Sequence, residues 1–266
     1  MRKILVFLLM VFCVRISYSQ DIFTVIKVSG NIVIERTGSP LGTGTSFAQT
    51  ENLLFKVPDS RAAVINPKRG RFILTPQNFA EFRSSKSNYL PSASKITMRA
   101  VGIDNKKDVL KRQFEGEIVI LDENKIVIDT TVYPMSASKY FYIMYNYNNR
   151  TINKRLAFSR DTLLINRNEL LAVNGQIISG TEISQMELMY FKEGEINGTA
   201  RISIFKPVFP DKNVLSNEIK IILDQLEMNP YSDKLRETSA FITEFYGKVD
   251  ENSLKNWLSD IFNLQP

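Results

Sequence analysis

The side chains that most often carry out catalysis are scarce in this sequence. Its 266 residues include no His and a single Cys, Cys13. Mechanisms that need an imidazole base, a His-rich metal site or a cysteine cluster are therefore excluded. Ser-x-x-Lys occurs at Ser92 and again at Ser136, but the Ser-Asp-Asn and Lys-Thr-Gly motifs that complete penicillin-binding chemistry are missing.

Carboxylates are the remaining catalytic option, because a glycosidase needs only two of them. The chain has 28 acidic residues, and the sequence alone pairs none of them. A hydrolase with an unrecognised carboxylate pair stays as an alternative. We assign no catalytic residue, no cofactor and no metal ligand.

The amino terminus predicts export. A basic start, Met1–Lys3, precedes an apolar run over residues 4–14, and Ser17–Ser19 offers small residues for cleavage. This pattern is typical of a signal peptide over residues 1–19, with a mature chain beginning at Gln20 or Asp21. Three of the 34 basic residues lie in it, so the formal charge of +6 falls to about +3. We predict a periplasmic or outer-membrane-associated protein that binds no nucleic acid and has no transmembrane segment after cleavage.

Residues 20–83 predict a small β barrel or sandwich. Alternating apolar residues flank Gly30, and short strands are expected at residues 53–57, 62–65 and 72–74. Gly- and Pro-rich turn sequences separate them.

Several short patterns in this region are shared with a known family. They are Val28-x-Gly30-x-Ile32, Pro40-Leu41-x-x-Gly44, Asn52-x-Leu54, Ala63-Val64-Ile65 and Gly70-Arg71-Phe72-x-Leu74. Over residues 22–83 the chain resembles the FecR-like β domain of bacterial envelope proteins, although Thr45 stands where members often have Asp. The resemblance implies an extracytoplasmic module that signals or docks to partners, and it implies no catalytic residue.

A basic turn lies inside this module. Lys68, Arg69 and Arg71 are candidates for contact with an anionic surface such as lipid headgroups. The alternative is a solvated hairpin turn whose charges keep a sheet edge soluble.

A polar, Ser-rich linker is expected over residues 84–112, followed by a β-sandwich over residues 113–210. Residues 118–121 and 126–128 flank Asp122–Lys125 and predict a hairpin whose two strands are covered on both faces. Asn174-Gly175 and Asn197-Gly198 predict two further hairpin turns, the second joining residues 186–191 to residues 199–205.

An aromatic strand is the first candidate for a partner-binding surface. Alternation places Tyr140 and Tyr142 on one face, and Phe141, Ile143 and Tyr145 on the other. Exposed rings would bind a protein or stack on sugar rings, whereas the alternative is ordinary cross-strand packing.

After Pro210 the apolar period changes from two to 3.6, which predicts three amphipathic helices over residues 211–266. Ser232 and Asp250 are the expected N-caps of the second and third helices, and Gly247 the expected stop between them. The last helix carries Trp257 and Phe262, which either pack within the chain or bind a partner groove.

The expected fold is therefore mainly β with an α-helical C-terminus: a small N-terminal barrel or sandwich, a β-sandwich and about three helices. The function we favour from the sequence is an exported envelope scaffold without catalytic activity. We expect it to bind an envelope protein through Tyr140, Tyr142, Trp257 and Phe262. A carbohydrate-binding module of a glycan-processing system is the alternative.

Overall fold

The computed structural model describes residues 21–84, 106–196 and 198–265. The chain is mainly β with a helical C-terminus, as predicted. It divides into two compact units at Tyr89–Leu90. The predicted signal peptide lies outside the described residues, as does most of the predicted linker. Within the described residues, no helix combines the length and the apolar composition that crossing a membrane would require.

In the first unit, residues 21–84 form six strands and one helix. They are β1 (Ile22–Ser29), β2 (Ile32–Ile34), β3 (Ser46–Ala48), β4 (Leu53–Phe55), β5 (Arg61–Asn66), β6 (Gly70–Leu74) and α1 (Phe79–Ser84). An antiparallel sheet has the order β3-β1-β5-β6, and β2 pairs with β4 in a two-stranded ribbon. Side chains from both sheets share one core with α1, which contributes Phe82. The ring centroids of Phe82 and Phe23 are 4.9 Å apart, which explains why the short helix docks here.

The turn between β1 and β2 depends on a glycine. Gly30 has φ +85°, a conformation that L side chains rarely adopt. A Cβ atom at this position would also lie 2.5 Å from Oγ of Ser60.

Ten strands and five α-helices are present in the described part of the second unit. The strands are β7 (Gly116–Val119), β8 (Glu123–Val127), β9 (Lys139–Tyr147), β10 (Arg150–Arg155), β11 (Ala157–Ser159), β12 (Thr162–Asn166), β13 (Ala172–Val173), β14 (Gln176–Ile177), β15 (Met186–Lys192) and β16 (Thr199–Val208). The helices are α2 (Lys106–Gln113), α3 (Arg167–Leu171), α4 (Lys212–Gln225), α5 (Tyr231–Phe245) and α6 (Glu251–Phe262).

Two sheets of this unit face each other as a sandwich. The first has five strands in the order β10-β9-β15-β16-β7, with β16 and β7 parallel, and the second has three in the order β11-β12-β8. Apolar side chains from both sheets, including Ile143, Leu188 and Leu163, form one core. The predicted sandwich is therefore present, and its strands cross from one sheet to the other at residue 121 and again at Leu156.

The first crossing corrects the predicted hairpin. Instead of pairing with each other, β7 joins the five-stranded sheet and β8 joins the three-stranded one. Asn124, which is 3% exposed, holds the chain at the bend: its Oδ1 accepts from Leu121 N at 3.0 Å, and its Nδ2 donates to Val119 O at 3.1 Å. Both faces are covered over residues 118–121, as predicted, but Val127 is 58% exposed.

Two turn predictions have different outcomes. Asn174 and Gly175 have φ of 52° and 80° and join β13 to β14, which is the expected two-residue turn. Strands β15 and β16 pair as predicted, but the loop joining them spans six residues, and Asn197 lies outside the described residues.

The end of the predicted linker is helical. Residues 106–112 belong to α2; Leu110 on this helix and Phe114 directly after it both enter the sandwich core. Asp108, Lys111 and Arg112 are exposed on the same helix.

Three C-terminal helices form as predicted, with Leu215, Ile219 and Ile222 buried on α4. Asp250 caps α6 through its Oδ1, which accepts from Ser253 N at 2.8 Å. The predicted cap of α5 is wrong: Pro230, and not Ser232, occupies that position, and no side chain caps the helix. The proline is accommodated because helix N-termini leave their first N–H groups without intrahelical partners.

Candidate functional site

Strand β9 separates its two sets of aromatic side chains, as the alternation predicts. Phe141, Ile143 and Tyr145 are 1%, 0% and 3% exposed and enter the sandwich core. Tyr140 and Tyr142 are half-buried on the opposite face of the sheet. This outer face of the five-stranded sheet therefore holds the two tyrosines that the sequence singled out.

Neighbouring strands extend the aromatic surface. Phe191 on β15 lies opposite Tyr140, with ring centroids 5.0 Å apart, and Met189 lies opposite Tyr142. Ile204 on β16 is 40% exposed. We call this set the outer patch: Tyr140, Tyr142, Phe191, Met189 and Ile204.

Charged side chains border the outer patch. The Arg155 guanidinium carbon lies 4.0 Å from the centre of the Tyr140 ring, a cation–π contact, and its Nη2 donates to Ala137 O at 3.1 Å. On β15 and β16, Glu187 and Arg201 form an ion pair at 3.4 Å. The patch thus combines half-buried rings with an ordered arginine at its rim.

The orientation of the rings bears on the type of ligand. The centroids of Tyr140 and Tyr142 are 6.4 Å apart, and their planes are inclined by 56°. Two rings at this angle do not offer the shared flat platform that adjacent sugar rings would need for stacking. An irregular aromatic surface is better suited to a protein side-chain surface.

The structure corrects the proposed role of the last helix. Trp257 is 5% exposed and packs inside the chain with Leu254 and Leu258, so it is not a surface available to a partner. The Phe262 ring is half-buried, 5.9 Å from the Trp257 ring. Intramolecular packing, the alternative considered for this apolar stripe, therefore accounts for it.

The basic turn is corrected as well. Arg69 and Arg71 are 7% and 1% exposed, so they do not form an anionic-surface contact, and only Lys68 is exposed. Arg69 lies over the Phe72 ring at 5.3 Å and its Nη1 donates to Gln49 Oε1 at 2.6 Å. Arg69 Nη1 also forms an ion pair with Asp21 Oδ2 at 3.3 Å. Burial of Arg69 is tolerated because these contacts neutralise its charge and cover its planar face.

Buried phenols elsewhere in the second unit have structural partners. Tyr145 donates to Leu170 O and Tyr190 donates to Pro134 O, each at 2.5 Å. Burial raises the pKa of both phenols above the usual value of 10. These groups stay protonated at neutral pH and hold the core together.

Two concave regions of the described surface are lined by one carboxylate each, whereas a glycosidase uses a pair. One, of about 50 Å³, is lined by a single carboxylate, Glu81, and the other, of about 410 Å³, by Glu169. Among residues 21–84, 106–196 and 198–265, no group of three acidic, His or Cys side chains is placed to hold a metal ion.

Three members of the patch, Phe191, Met189 and Ile204, escaped the sequence analysis, as did Arg155 at its rim. Phe191 and Arg155 lie on strands other than β9, and their neighbourhood with Tyr140 depends on strand register. The sequence does predict the β15 strand, and alternation along it shows which face of the sheet Phe191 lies on. Alternation does not show which residue of the neighbouring strand lies opposite Phe191.

Comparisons with known proteins identify no relative whose site could be compared with this one. No family model, curated protein or solved structure matches the chain.

Proposed function

We propose that this chain is an exported interaction protein of the cell envelope, and that it binds a partner protein through the outer patch without performing catalysis. The observation that carries the proposal is the half-buried ring cluster of Tyr140, Tyr142 and Phe191 with Arg155 stacked at its rim. Aromatic residues and arginine are the types most enriched in protein interfaces and among their energetic hot spots.

The proposed envelope location comes from the amino-terminal sequence and the FecR-like resemblance. N-terminal sequencing of the protein purified from its native cells tests it directly. A mature chain beginning at Gln20 or Asp21 supports export. An intact Met1 in the mature protein refutes the proposed cleavage.

A photo-crosslinking residue tests the interface in living cells. We place it at Ile204, which belongs to the outer patch and is 40% exposed, and use Val214 on α4, which is 48% exposed, as the matched control. The expected result is one recurrent protein adduct from position 204 and none of that partner from position 214.

Binding of the partner should depend on the aromatic rings of the outer patch. Replacement of Phe191 by Ala removes a half-buried ring that contacts Tyr140 and is expected to abolish the adduct from position 204. Adducts that form equally from both positions, or that survive this replacement, would refute the proposed interface. A crosslinked glycan in place of a protein would favour the carbohydrate-binding alternative.

A further inference from the structure

Two of the four edge strands of the sandwich sheets are hydrogen-bonded to the C-terminal region, and within the described residues the other two are not among these contacts. The edge of β7 is bonded to the segment after α5, because Val119 N donates to Lys248 O and Lys248 N donates to Glu117 O, both at 2.8 Å. On β8, Lys125 N donates to Ser253 Oγ at 3.0 Å. The other two edges are β10 and β11, which follow each other in the chain.

The backbone of β10 presents unpaired groups on its outer side. Leu156 N donates to Phe141 O at 2.9 Å, so these residues are a hydrogen-bonded pair of the β9–β10 ladder. Since such pairs alternate in an antiparallel ladder, the N–H and C=O groups of Thr151, Asn153 and Arg155 point away from β9. Among the described residues these groups have no backbone partner.

The charge of β10 selects what can be added to this edge. Its six residues include Arg150, Lys154 and Arg155 and no acidic residue. In an antiparallel pair with a second copy of β10, Ile152 opposite Ile152 would set Arg150 opposite Lys154 at both ends, and like charges placed directly opposite are destabilising. Lys154 Nζ donates to Ala172 O, and Arg155 is stacked on Tyr140. Arg150 is therefore the cation best placed to attract a carboxylate of an added strand.

A cleft adjoins the end of this edge. It has a volume of about 410 Å³ and is lined by Arg155, Leu156, Ala157, Phe158 and Glu169. An apolar side chain of an added strand fits a wall formed by Leu156 and Phe158. Glu169 disfavours a carboxylate at that end, so the acidic residues of the added strand belong near Arg150.

From these observations we infer that β10 binds an extended, acidic segment of the partner protein as a sixth strand of the sheet. The inference rests on the proposed function, since this edge continues into the outer patch through Arg155. Main-chain hydrogen bonds supply affinity in this mode of recognition, and side chains supply specificity.

A synthetic peptide tests the inference on the full chain. The probe is a capped, fluorescent peptide of alternating Glu and Val, and its control has Lys in place of Glu. The acidic peptide is expected to bind at least about tenfold more tightly and to slow amide hydrogen exchange at Thr151 and Asn153, which face outward. Equal binding of the two peptides, or unchanged exchange at these amides, overturns the inference.

Backbone-directed variants separate the edge from the patch. Asn153→Pro removes an outward N–H without breaking a bond to β9, and Asn153→Thr retains that N–H. We expect the proline variant to lose at least about tenfold in affinity for the acidic peptide and the threonine variant less than about twofold. Arg150→Glu, which leaves the backbone unchanged, should weaken the acidic peptide and strengthen the lysine peptide, and it keeps the test decisive if the proline variant does not fold.

The crosslink from Ile204 distinguishes the two proposals. Loss of the cellular adduct in Asn153→Pro but not in Asn153→Thr supports strand addition. An adduct that persists undiminished in Asn153→Pro refutes strand addition and leaves the outer patch as the interface. A wild-type protein without any adduct from position 204 refutes the proposed function itself.

Discussion

Asn124 offers the sharpest test of the way the sandwich is assembled. Its side chain satisfies two buried backbone groups at the bend between the sheets, Leu121 N and Val119 O. Replacement by Ala leaves both groups without this partner. Each buried group left unsatisfied costs about 1–3 kcal/mol, so Asn124→Ala should lower the free energy of unfolding of the second unit by about 2–6 kcal/mol.

In the isosteric variant Asn124→Asp, the free energy of unfolding should depend on pH, and the direction of that dependence can be predicted. Its carboxylate can still accept from Leu121 N, but it has no hydrogen to donate to Val119 O unless it is protonated. Burial raises the pKa of such a carboxyl in the folded state above the unfolded value of about 3.9. The folded variant therefore binds more protons than the unfolded one, and its stability falls as the pH rises through the folded pKa. Its deficit relative to the wild type should be smallest near pH 4 and largest near pH 7.

Tryptophan fluorescence makes the assay specific for the second unit. Trp257 is the only Trp of the chain and is 5% exposed in that unit. Urea unfolding followed by its emission gives the stability of wild type and variants at each pH. A cost below about 1 kcal/mol for Asn124→Ala, or an Asp variant whose deficit is the same at both pH values, would show that Asn124 does not hold the bend.

Three further predictions concern the C-terminal helices. Gly247→Ala should cost at least about 2 kcal/mol in unfolding free energy by urea titration, because Gly247 has φ +128° and an added Cβ would lie 2.7 Å from Glu117 O; a neutral effect would contradict this approach. Trp257→Ala should cost about 3–5 kcal/mol by circular dichroism, whereas a partner-binding Trp257 would leave stability unchanged. The pKa of Tyr246 is raised mainly by burial and then by its hydrogen bond to Glu218 at 2.6 Å. The stability that this phenol contributes is therefore complete below pH about 10 and is lost as the pH rises further. Tyr246→Phe should cost about 1.5–3 kcal/mol at pH 7 and lose less stability than the wild type between pH 9 and pH 11; equal losses in the two proteins would refute this role of Tyr246.

Periodic patterns were the most reliable part of the sequence analysis. The spacing of Leu215, Ile219 and Ile222 places them on one helix face, and all three are buried on α4. Alternation on β9 likewise assigned Phe141 to the core and Tyr140 to the opposite face. Such patterns succeed because each element must bury its own apolar side.

Pairing between elements was less predictable. Residues 118–121 and 126–128 have the composition of a hairpin, but pairing is decided by which sheet each strand can join across the whole unit. The buried side-chain amide of Asn124 holds the bend between the two sheets. The sequence does not reveal this role, because an Asn between two strands is equally typical of an ordinary turn.

Burial of polar residues was equally hard to foresee. Arg69 and Arg71 look solvated in a basic turn, yet a guanidinium can be buried where aromatic rings and hydrogen-bond acceptors surround it. For Trp257, the helical spacing predicts an apolar face but not what covers it. The candidate site was therefore half predicted: Tyr140 and Tyr142 from alternation, Phe191 and Arg155 only from the assembled sheet.

The closure of β7 by Lys248 has a consequence for the order of events during synthesis. Lys248 O accepts from Val119 N, and Ser253 Oγ accepts from Lys125 N across 128 residues of chain. Neither bond can form until the region of α6 has left the ribosome, so the strands emerge long before two of their edges are protected. Nascent chains of the second unit should therefore depend on a chaperone until α6 has emerged, because unpaired strand edges associate readily with one another.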